Sequence, residues 1–414
     1  MARRPEEVIA AFVDARHAEA VAFLRELIRV PTDTPPGDNA PHAERTAQLL
    51  EAMGYAVERH PVPAAEVRAC GMTSITNLIV RVAFGAGGPT IALNAHGDVV
   101  PPGEGWTRPP YAGVIENGRI YGRAAAVSKS DFATFTFALD ALRELRRQGL
   151  SLKGTIELHF TYDEEFGGEL GPGWLLRQRL TRPDLVVGPG FSYAIVNAHN
   201  GALHLEATLH GKAAHVAEQK SGIDALRAAT AVLQALYATG DQLGRTVSAT
   251  PGIGSPLLNV GRIEGGINTN VVPDKVVLKI DRRMIPEEDP AGVEADLRRI
   301  IETAALQTPG IRVEIRRLLL ARALTPLPGH EKLVEPLRRH GGRVFGEPLP
   351  VQGTGLYTDA RLYAEAGIPV VLYGAGPRTI LESNAKRADE NLLLEDLRRA
   401  TQVVACALCD LLKS

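Results

Sequence analysis

The sequence has 414 residues, of which 45% are hydrophobic and 23% are charged. A chain of this length and composition can bury a large hydrophobic core and is long enough for two domains. Its formal net charge is only −2, so neither a nucleic acid nor an anionic membrane surface is expected as a partner.

The amino-terminal residues predict neither a secretory signal nor a membrane span, because they lead into an amphipathic helix without a long apolar stretch. A cytoplasmic location is the resulting prediction. The three cysteines predict no disulfide framework. Cys406 and Cys409 are one helical turn apart in an apolar segment, a spacing that favours core packing over a redox pair.

The first part of the chain predicts alternating helices and strands. Apolar residues recur at helical spacing in 18–30 and 44–54, and the proline-rich segment 31–38 separates them. The next predicted elements are strands at 76–83 and 89–95, a helix at 129–147 and a strand at 154–161. This alternation predicts a mixed sheet covered by helices.

His96 and Asp98 directly follow the apolar strand at 89–95. Ligands of open α/β sheets bind at the carboxyl ends of strands. Residues two apart on an extended backbone point to one face, so the carboxylate can orient the imidazole as a metal ligand or proton carrier. The alternative is a histidine that is merely hydrogen-bonded at a strand end.

Three carboxylates, Asp163, Glu164 and Glu165, follow the predicted strand at 154–161 and precede a glycine pair. Holding three carboxylates together is unfavourable unless a cation or a proton is shared among them. The segment therefore predicts a functional cluster, and a solvated acidic turn is the alternative.

The middle of the chain changes to the order strand, helix, strand, strand, helix, strand. This order predicts a ferredoxin-like module inserted into the first domain. The predicted elements are 203–210, 222–238, 257–265, 275–283, 290–305 and 311–317.

Several motifs follow one another along nearly the whole sequence. They are His96-Gly97-Asp98, Trp106 with Pro109-Pro110, Tyr121-Gly122-Arg123, Asp163-Glu164-Glu165-Phe166-Gly167-Gly168, Gly211 to His215, Asn270 to Pro273 and Gly367-Ile368-Pro369. Together they resemble the M20 family of metallopeptidases and deacylases, the group of acetylornithine deacetylase and succinyl-diaminopimelate desuccinylase. The resemblance implies an α/β catalytic domain of the zinc aminopeptidase type at 1–197 and 314–414. It also implies an inserted ferredoxin-like lid and dimerisation domain at 198–313, and therefore a homodimer.

The family site holds two zinc ions through five ligands. In this sequence the resemblance gives His96 as a ligand, Asp98 as its orienting partner, Glu165 as a second ligand and Glu164 as the general base. The other three ligand positions carry residues that the family does not use to bind zinc. They are Val127, Pro189 and Lys386.

Because zinc sites need three or four protein donors, the sequence predicts that the dinuclear centre is largely lost. His96 and Glu165 would be its remnant and would hold at most one unusual divalent metal. A shifted alignment is the alternative, in which Asp131 or Asp184 supplies a missing ligand.

Lys386 would place a fixed positive charge beside Glu164 and Glu165 and compensate for the missing cations. A further hypothesis makes Lys386, with Lys129, the electrophile or oxyanion partner while Glu164 remains the base. Ser128-Lys129-Ser130 also allows a serine nucleophile beside a lysine base.

The resemblance implies substrate-binding roles for His215, Asn270 and Arg283 in the insert, and Gly353 and Gly355 are added from the segment that follows it. An arginine can bind a carboxylate through two hydrogen bonds, which suits an N-acyl amino acid. The alternatives are a surface histidine and a structural ion pair of Arg283.

Three functions stay open at this point. The favoured one is hydrolysis of an amide bond in a small carboxylate-bearing substrate, with Glu164 as base. The second is metal-free lyase or isomerase chemistry with Glu164 and Lys386 as an acid–base pair. The third is a catalytically silent, ligand-binding homologue.

Overall fold

A computed structural model describes residues 3–413 of the chain. Contacts divide the chain into two compact units. The first unit comprises Met1–Asn197, Pro326–Gln352 and Thr358–Ser414, and the second comprises Ala198–Thr325 and Gly353–Tyr357. The insert predicted at 198–313 falls within the second unit, which continues past 313 because its last strand ends only at Ala321.

Helices and strands alternate along much of the first unit and follow the predicted order in the second. The helices are α1 (Pro5–Ile28), α2 (Ala40–Ala52), α3 (Ala64–Ala69), α4 (Lys129–Arg147), α5 (Pro172–Arg177), α6 (Ala225–Leu243), α7 (Pro290–Ala305), α8 (Glu331–Phe345), α9 (Ala360–Glu365) and α10 (Leu394–Lys413). The strands are β1 (Val57–Pro61), β2 (Thr76–Gly85), β3 (Thr90–His96), β4 (Val114–Glu116), β5 (Arg119–Tyr121), β6 (Gly154–Thr161), β7 (Leu185–Gly188), β8 (Ile195–His199), β9 (Gly201–His210), β10 (Leu257–Gly265), β11 (Lys275–Met284), β12 (Arg312–Ala321), β13 (Val351–Thr354), β14 (Val370–Leu372) and β15 (Asn391–Leu393).

A mixed sheet in the order β1-β2-β6-β3-β7-β14-β8-β13 forms the centre of the first unit. Its inner strands β6, β3, β7 and β14 are parallel. β3 and β6 are buried almost throughout, as expected for parallel strands covered on both faces. The helix α4 packs against β3 and β6 and against α1 and α10, so its residues from Lys129 to Leu142 are buried.

The second unit contains an antiparallel sheet in the order β10-β11-β9-β12. Alternate residues of β9, including Leu203 and Leu205, are buried in a core with α6 and α7. The side chains between them lie on the other face and are half-buried. The predicted mixed α/β fold class with a ferredoxin-like insert is therefore confirmed.

Element ends differ from the predicted ones where capping residues decide them. The helix predicted at 222–238 begins at Ala225, because the Asp224 carboxylate accepts hydrogen bonds from the backbone N–H groups of Leu226 and Arg227. The helix predicted at 18–30 is the second half of α1, which begins at Pro5. Between residues 3 and 413 no helix is long and apolar enough to cross a membrane.

Gly154 begins β6 with a φ of +100°, and a Cβ added to it would lie 2.3 Å from the carbonyl oxygen of Pro89. Gly87 also has a positive φ, +83°, but has nothing within 4 Å of such a Cβ. We expect Gly87→Ala to lower the free energy of unfolding by about 1 kcal/mol, through backbone strain alone. Gly154→Ala should add a steric cost of about 1–3 kcal/mol to that strain.

Denaturant unfolding of both variants measures this difference. Equal losses in Gly87→Ala and Gly154→Ala would contradict the close approach of β6 to Pro89.

Candidate active site

The carboxyl ends of β3 and β6 form the centre of the candidate site. The two strands are parallel neighbours, with His96 opposite Thr161. The backbone N–H of Gly97 also donates to the carbonyl oxygen of Thr161 at 2.8 Å. The two polar segments, 96–98 and 163–165, therefore leave the sheet side by side.

The Asp98 side chain joins these two segments and is fully buried. Its Oδ1 accepts a hydrogen bond from the backbone N–H of Glu164 at 3.2 Å, and its Oδ2 accepts one from Glu165 at 2.9 Å. Its Oδ1 also lies 3.4 Å from Nδ1 of His96. Asp98 thus orients both the imidazole and the turn that carries the two glutamates.

His96 is 3% exposed, and its Nε2 lies 3.9 Å from Oε2 of Glu164. Burial alone would lower the pKa of this imidazole, but the carboxylates of Glu164 and Asp98 outweigh burial and raise the pKa to about 10. With these neighbours His96 is a cation at neutral pH.

Glu164 is 8% exposed. Burial raises the pKa of its carboxyl, and the nearby His96 lowers it, with a result of about 7. A carboxylate with a pKa near the working pH is well suited to accept and return a proton.

Lys386 lies against Glu165, with 2.7 Å between its Nζ and Oε2 of the carboxylate. The Glu165 side chain is 7% exposed, whereas the Lys386 side chain is 49% exposed. Burial would lower the pKa of Lys386, but Glu165 and Glu164 raise it above its ordinary value. The ammonium is therefore charged and can also be reached from solvent.

A buried ion pair fixes the two loops around Lys386. The guanidinium of Arg123 donates to Oε2 of Glu390 at 2.6 Å, and both side chains are 1% exposed. The other oxygen of Glu390 accepts from the backbone N–H of Ala126 at 3.1 Å, and Oε2 also accepts from the N–H of Lys386 at 3.4 Å. Lys386 itself has a φ of 61°, a backbone conformation that is unusual for lysine.

Val127 is placed close to His96 by its neighbour Ser128. The hydroxyl of Ser128 donates to the carbonyl oxygen of His96 at 2.9 Å and accepts from its backbone N–H at 3.1 Å. Pro189 directly follows β7, which pairs in parallel with β3. Both positions therefore lie at the strand ends that carry His96, and neither side chain can bind a metal.

The two carboxylates that a shifted alignment would use as ligands are engaged elsewhere. Asp184 accepts from the backbone N–H of Thr90 at 2.8 Å, so it lies at the opposite end of β3 from His96. Asp131 is buried and accepts from the N–H of Ala375 at 2.7 Å, and burial raises its pKa to about 8. Neither replaces a lost ligand.

The residues at this site do not fit the two zinc ions of the M20 family that the sequence resembles. Glu165 is bound to Lys386, and the other ligand positions hold valine and proline. Within residues 3–413 no three His, Cys, Asp or Glu side chains are grouped to hold a metal ion, and zinc sites need at least three protein donors.

Lys129 is fully buried, and its Nζ donates to the carbonyl oxygens of Leu27 at 3.2 Å and Val30 at 2.9 Å. Burial lowers its pKa to about 7. This placement is structural and differs from the predicted role as electrophile. The alternative of a serine nucleophile loses its base, since the Lys129 amine donates to these backbone carbonyls, and the Ser128 hydroxyl itself donates to the carbonyl oxygen of His96.

Two further buried carboxylates lie near the site: Asp163, which belongs to the predicted acidic cluster, and Asp359, which was not predicted. Asp163 and Asp359 are 1% and 3% exposed. In the part of the chain that the structure describes, both oxygens of Asp359 and one of Asp163 lack a hydrogen-bond partner. Burial raises the pKa of Asp163 to about 8 and the pKa of Asp359 well above its ordinary value. No local pattern in the sequence connects Asp359 with a turn so far away in the chain.

His215 and Asn270 lie together in the second unit. His215 pairs with Val271 as an isolated bridge, and the carbonyl oxygen of Asn270 accepts from the N–H of Val216 at 3.0 Å. Both residues are exposed. The structure therefore brings these two predicted substrate-binding residues to one surface of that unit.

Arg283, also in the second unit, donates from Nε to Asp281 at 3.0 Å and lies 5.3 Å from the ring centroid of Tyr357. Its side chain is 27% exposed, so part of the guanidinium can still bind a ligand. Gly353 is closely packed, since a Cβ there would lie 2.6 Å from Ile253, whereas Gly355 has open space.

Comparison with known proteins agrees with this architecture. The model of Peptidase family M20/M25/M40 matches residues 92–410. The succinyl-diaminopimelate desuccinylase of Methylobacterium sp. (strain 4-46) is 30% identical over 394 residues, which cover 92% of this chain and 93% of that protein.

Two solved structures share the fold at low sequence identity. The dipeptidase Dug1p from Saccharomyces cerevisiae superposes with a TM-score of 0.81 at 14% identity, over 99% of both chains. An M20 family metallo-carboxypeptidase from Sulfolobus solfataricus gives a TM-score of 0.78 at 19% identity, over 95% of this chain and 99% of that one. By its family match and its desuccinylase relative, this chain is an amidohydrolase-type member of Peptidase family M20/M25/M40.

Proposed function

We propose that this protein hydrolyses an amide bond in a small carboxylate-bearing substrate, such as an N-acyl amino acid, without the dinuclear metal centre of its family. The observation that carries the proposal is the 2.7 Å ion pair between Lys386 and Glu165 beside a buried Glu164. A fixed cation lies at a ligand position while the base is retained.

Glu164 accepts the proton of the attacking water and returns it to the leaving amine. The pKa of about 7 of this glutamate supports both transfers near neutral pH. The ammonium of Lys386, whose side chain is half exposed, and the protonated His96 supply positive charge for the oxyanion of the tetrahedral intermediate. The Asp98 carboxylate keeps the turn that carries the base in position by accepting hydrogen bonds from the backbone N–H groups of Glu164 and Glu165. The main-chain carbonyl oxygen of Asp98, 3.0 Å from Nδ1 of His96, holds the imidazole.

The substrate assignment follows from arginine chemistry and from the relatives. Arg283 suits a carboxylate, and His215 and Asn270 are proposed to contact the substrate's carbonyl oxygen. The name of the desuccinylase relative suggests an N-succinyl group as the acyl part. Metal-free lyase or isomerase chemistry and a silent ligand-binding role remain the alternatives.

The proposal assigns the first unit to catalysis, and it assigns the second unit, which contains the predicted insert 198–313, to a lid that also forms a homodimer. Exposed apolar side chains on the insert support such an interface: Leu226 and Tyr237 on α6, and Leu257 and Ile263 on the edge strand β10 are 47%, 57%, 59% and 51% exposed. α6 packs on β10, so these residues belong to one edge of the unit. The cytoplasmic location stays a prediction.

Replacing Glu164 with glutamine should lower kcat/KM for amide hydrolysis by about a hundredfold or more, because the general base is lost. The measurement is turnover of a panel of N-acetyl and N-succinyl amino acids. Wild-type activity should rise with pH through about 7, since Glu164 must lose its proton to act. Glu144→Gln on α4 is the matched control and should leave both kcat/KM and the pH dependence unchanged.

Unchanged turnover in Glu164→Gln would remove this residue from the mechanism. A wild-type protein that binds the panel without turnover would favour the silent homologue instead.

Lys386→Met should raise the pKa of Glu164, because the ammonium of Lys386 lowers it. The acid limb of the pH–rate profile would then move to higher pH. A lower plateau at high pH, where Glu164 is ionised in both proteins, would show in addition that Lys386 stabilises the transition state. Lys332→Met, an exposed lysine on α8, is the control, and an unshifted acid limb in Lys386→Met would contradict the charge-compensating role.

Val127→Asp, Pro189→Glu and Lys386→His together should create a zinc site, because they restore three oxygen and nitrogen donors to the strand ends. We expect zinc affinity at least about a hundredfold tighter than in the wild type, measured by elemental analysis and by competition with a chelator. The control is the double variant Val127→Asp with Pro189→Glu, which keeps Lys386 and should bind zinc more weakly than the triple variant. No gain in the triple variant, or about two zinc ions per wild-type chain, would contradict the ligand assignment.

A further inference from the structure

A cavity of about 380 Å³ lies in the first unit, and its lining residues have no part in the mechanism proposed above. Two segments that follow parallel strands line it, one after β7 and one after β14, together with the start of β13. Its size is within the range of small-molecule sites. The residues that matter here are Phe191, Tyr193, Pro350, Gln352, Arg378 and Ile380.

One wall of the cavity is aromatic and held in place. The ring of Tyr193 packs edge-on against Phe345 at a centroid distance of 4.8 Å. Its hydroxyl donates to Oδ1 of Asp396 at 2.7 Å. Because the hydroxyl is engaged, the Tyr193 ring is held in place in the cavity wall, alongside the apolar side chains of Phe191 and Ile380.

The cavity also contains one cation, the guanidinium of Arg378. It stacks on Tyr193, with 3.9 Å between Cζ and the ring centroid, and it donates to Oε1 of Glu347 at 2.5 Å. The side chains of Arg378 and Glu347 are 53% and 49% exposed. Exposed ion pairs contribute little to stability, so a ligand carboxylate can replace Glu347 at low cost while the stacking persists.

Both segments that line the cavity also belong to the candidate active site. Phe191 is two residues beyond Pro189, and the segment with Arg378 continues to Lys386. Backbone hydrogen bonds of 2.9 Å join them, from Ser192 to Gly376 and from Gly376 to Gly190. The cavity therefore lies on the same pair of loops, at the carboxyl ends of β7 and β14, as two of the altered ligand positions.

We infer that this cavity is a substrate subsite that binds a carboxylate on a short apolar chain, with Arg378 holding the carboxylate and Tyr193 and Phe191 packing against the chain. The inference rests on the proposed function in taking the ligand to be part of the amide substrate. It narrows that substrate to one whose acyl group ends in a carboxylate, such as an N-succinyl amino acid.

Two probes of nearly equal shape test the subsite: N-succinyl-L-alanine, and N-butanoyl-L-alanine, in which a methyl group replaces the terminal carboxylate. Binding is measured by calorimetry on the Glu164→Gln variant, so the readout does not depend on hydrolysis. We expect the succinyl compound to bind at least about tenfold more tightly, because its terminal carboxylate can form charge-assisted hydrogen bonds with arginine.

Substitutions at the ion pair should act in opposite directions. Arg378→Met in the same background should abolish the preference for the succinyl compound, whereas Glu347→Gln should increase it severalfold by releasing the guanidinium. Arg338→Met, a similarly exposed arginine on α8, is the control and should leave the preference intact.

Equal binding of the two probes, no binding of either, or a preference that survives Arg378→Met would overturn the subsite. Failure of the proposed function is distinguishable from this. If wild-type protein shows the Arg378-dependent preference but hydrolyses neither compound, the subsite stands and the hydrolase proposal fails. If the protein hydrolyses the succinyl compound equally well with and without Arg378, the hydrolase proposal stands and the subsite fails.

Discussion

The buried ion pair between Arg123 and Glu390 is the constraint on which the altered site depends. Glu390 also accepts hydrogen bonds from the backbones of Ala126 and Lys386, so a single carboxylate positions the loop that contains Val127 and the loop that contains Lys386. Arg123 in turn donates to the carbonyl oxygen of Pro102 at 2.8 Å and lies 5.1 Å from the ring centroid of Trp106. Removing one partner of a pair this deeply buried typically costs about 3–5 kcal/mol, and here it would also release both loops.

Charge balance explains how so many acids stay together in this region. His96 and Lys386 provide two positive charges against the carboxylates of Asp98, Glu164 and Glu165, and burial raises the pKa of Asp163 and Asp359. A raised pKa favours the neutral form of these two acids and so reduces the repulsion among the carboxylates. Glu164, the proposed base, lies between these groups, where burial and neighbouring cations shift its pKa in opposite directions.

The sequence predicted the parts of this molecule that local patterns determine. The order of elements in the insert followed from periodicity, and the position of His96 and Asp98 at a strand end followed from the apolar run before them. Lys129 could not be placed, because its carbonyl partners Leu27 and Val30 are distant in the chain. The same holds for Asp359, whose burial depends on tertiary packing, and for the Arg123–Glu390 pair, whose partners are brought together only by the folded chain.

The loop between β14 and β15 is bonded to several separate parts of the first unit. Ala375 donates to Asp131, Gly376 bonds with the segment after β7, Lys386 pairs with Glu165, and Glu390 pairs with Arg123. Because the loop is attached at several points, it cannot readily accommodate an inserted or deleted residue without breaking some of these contacts. Evolution or engineering can therefore change this site readily by exchanging side chains, whereas a change in the length of this loop would disturb several attachments at once.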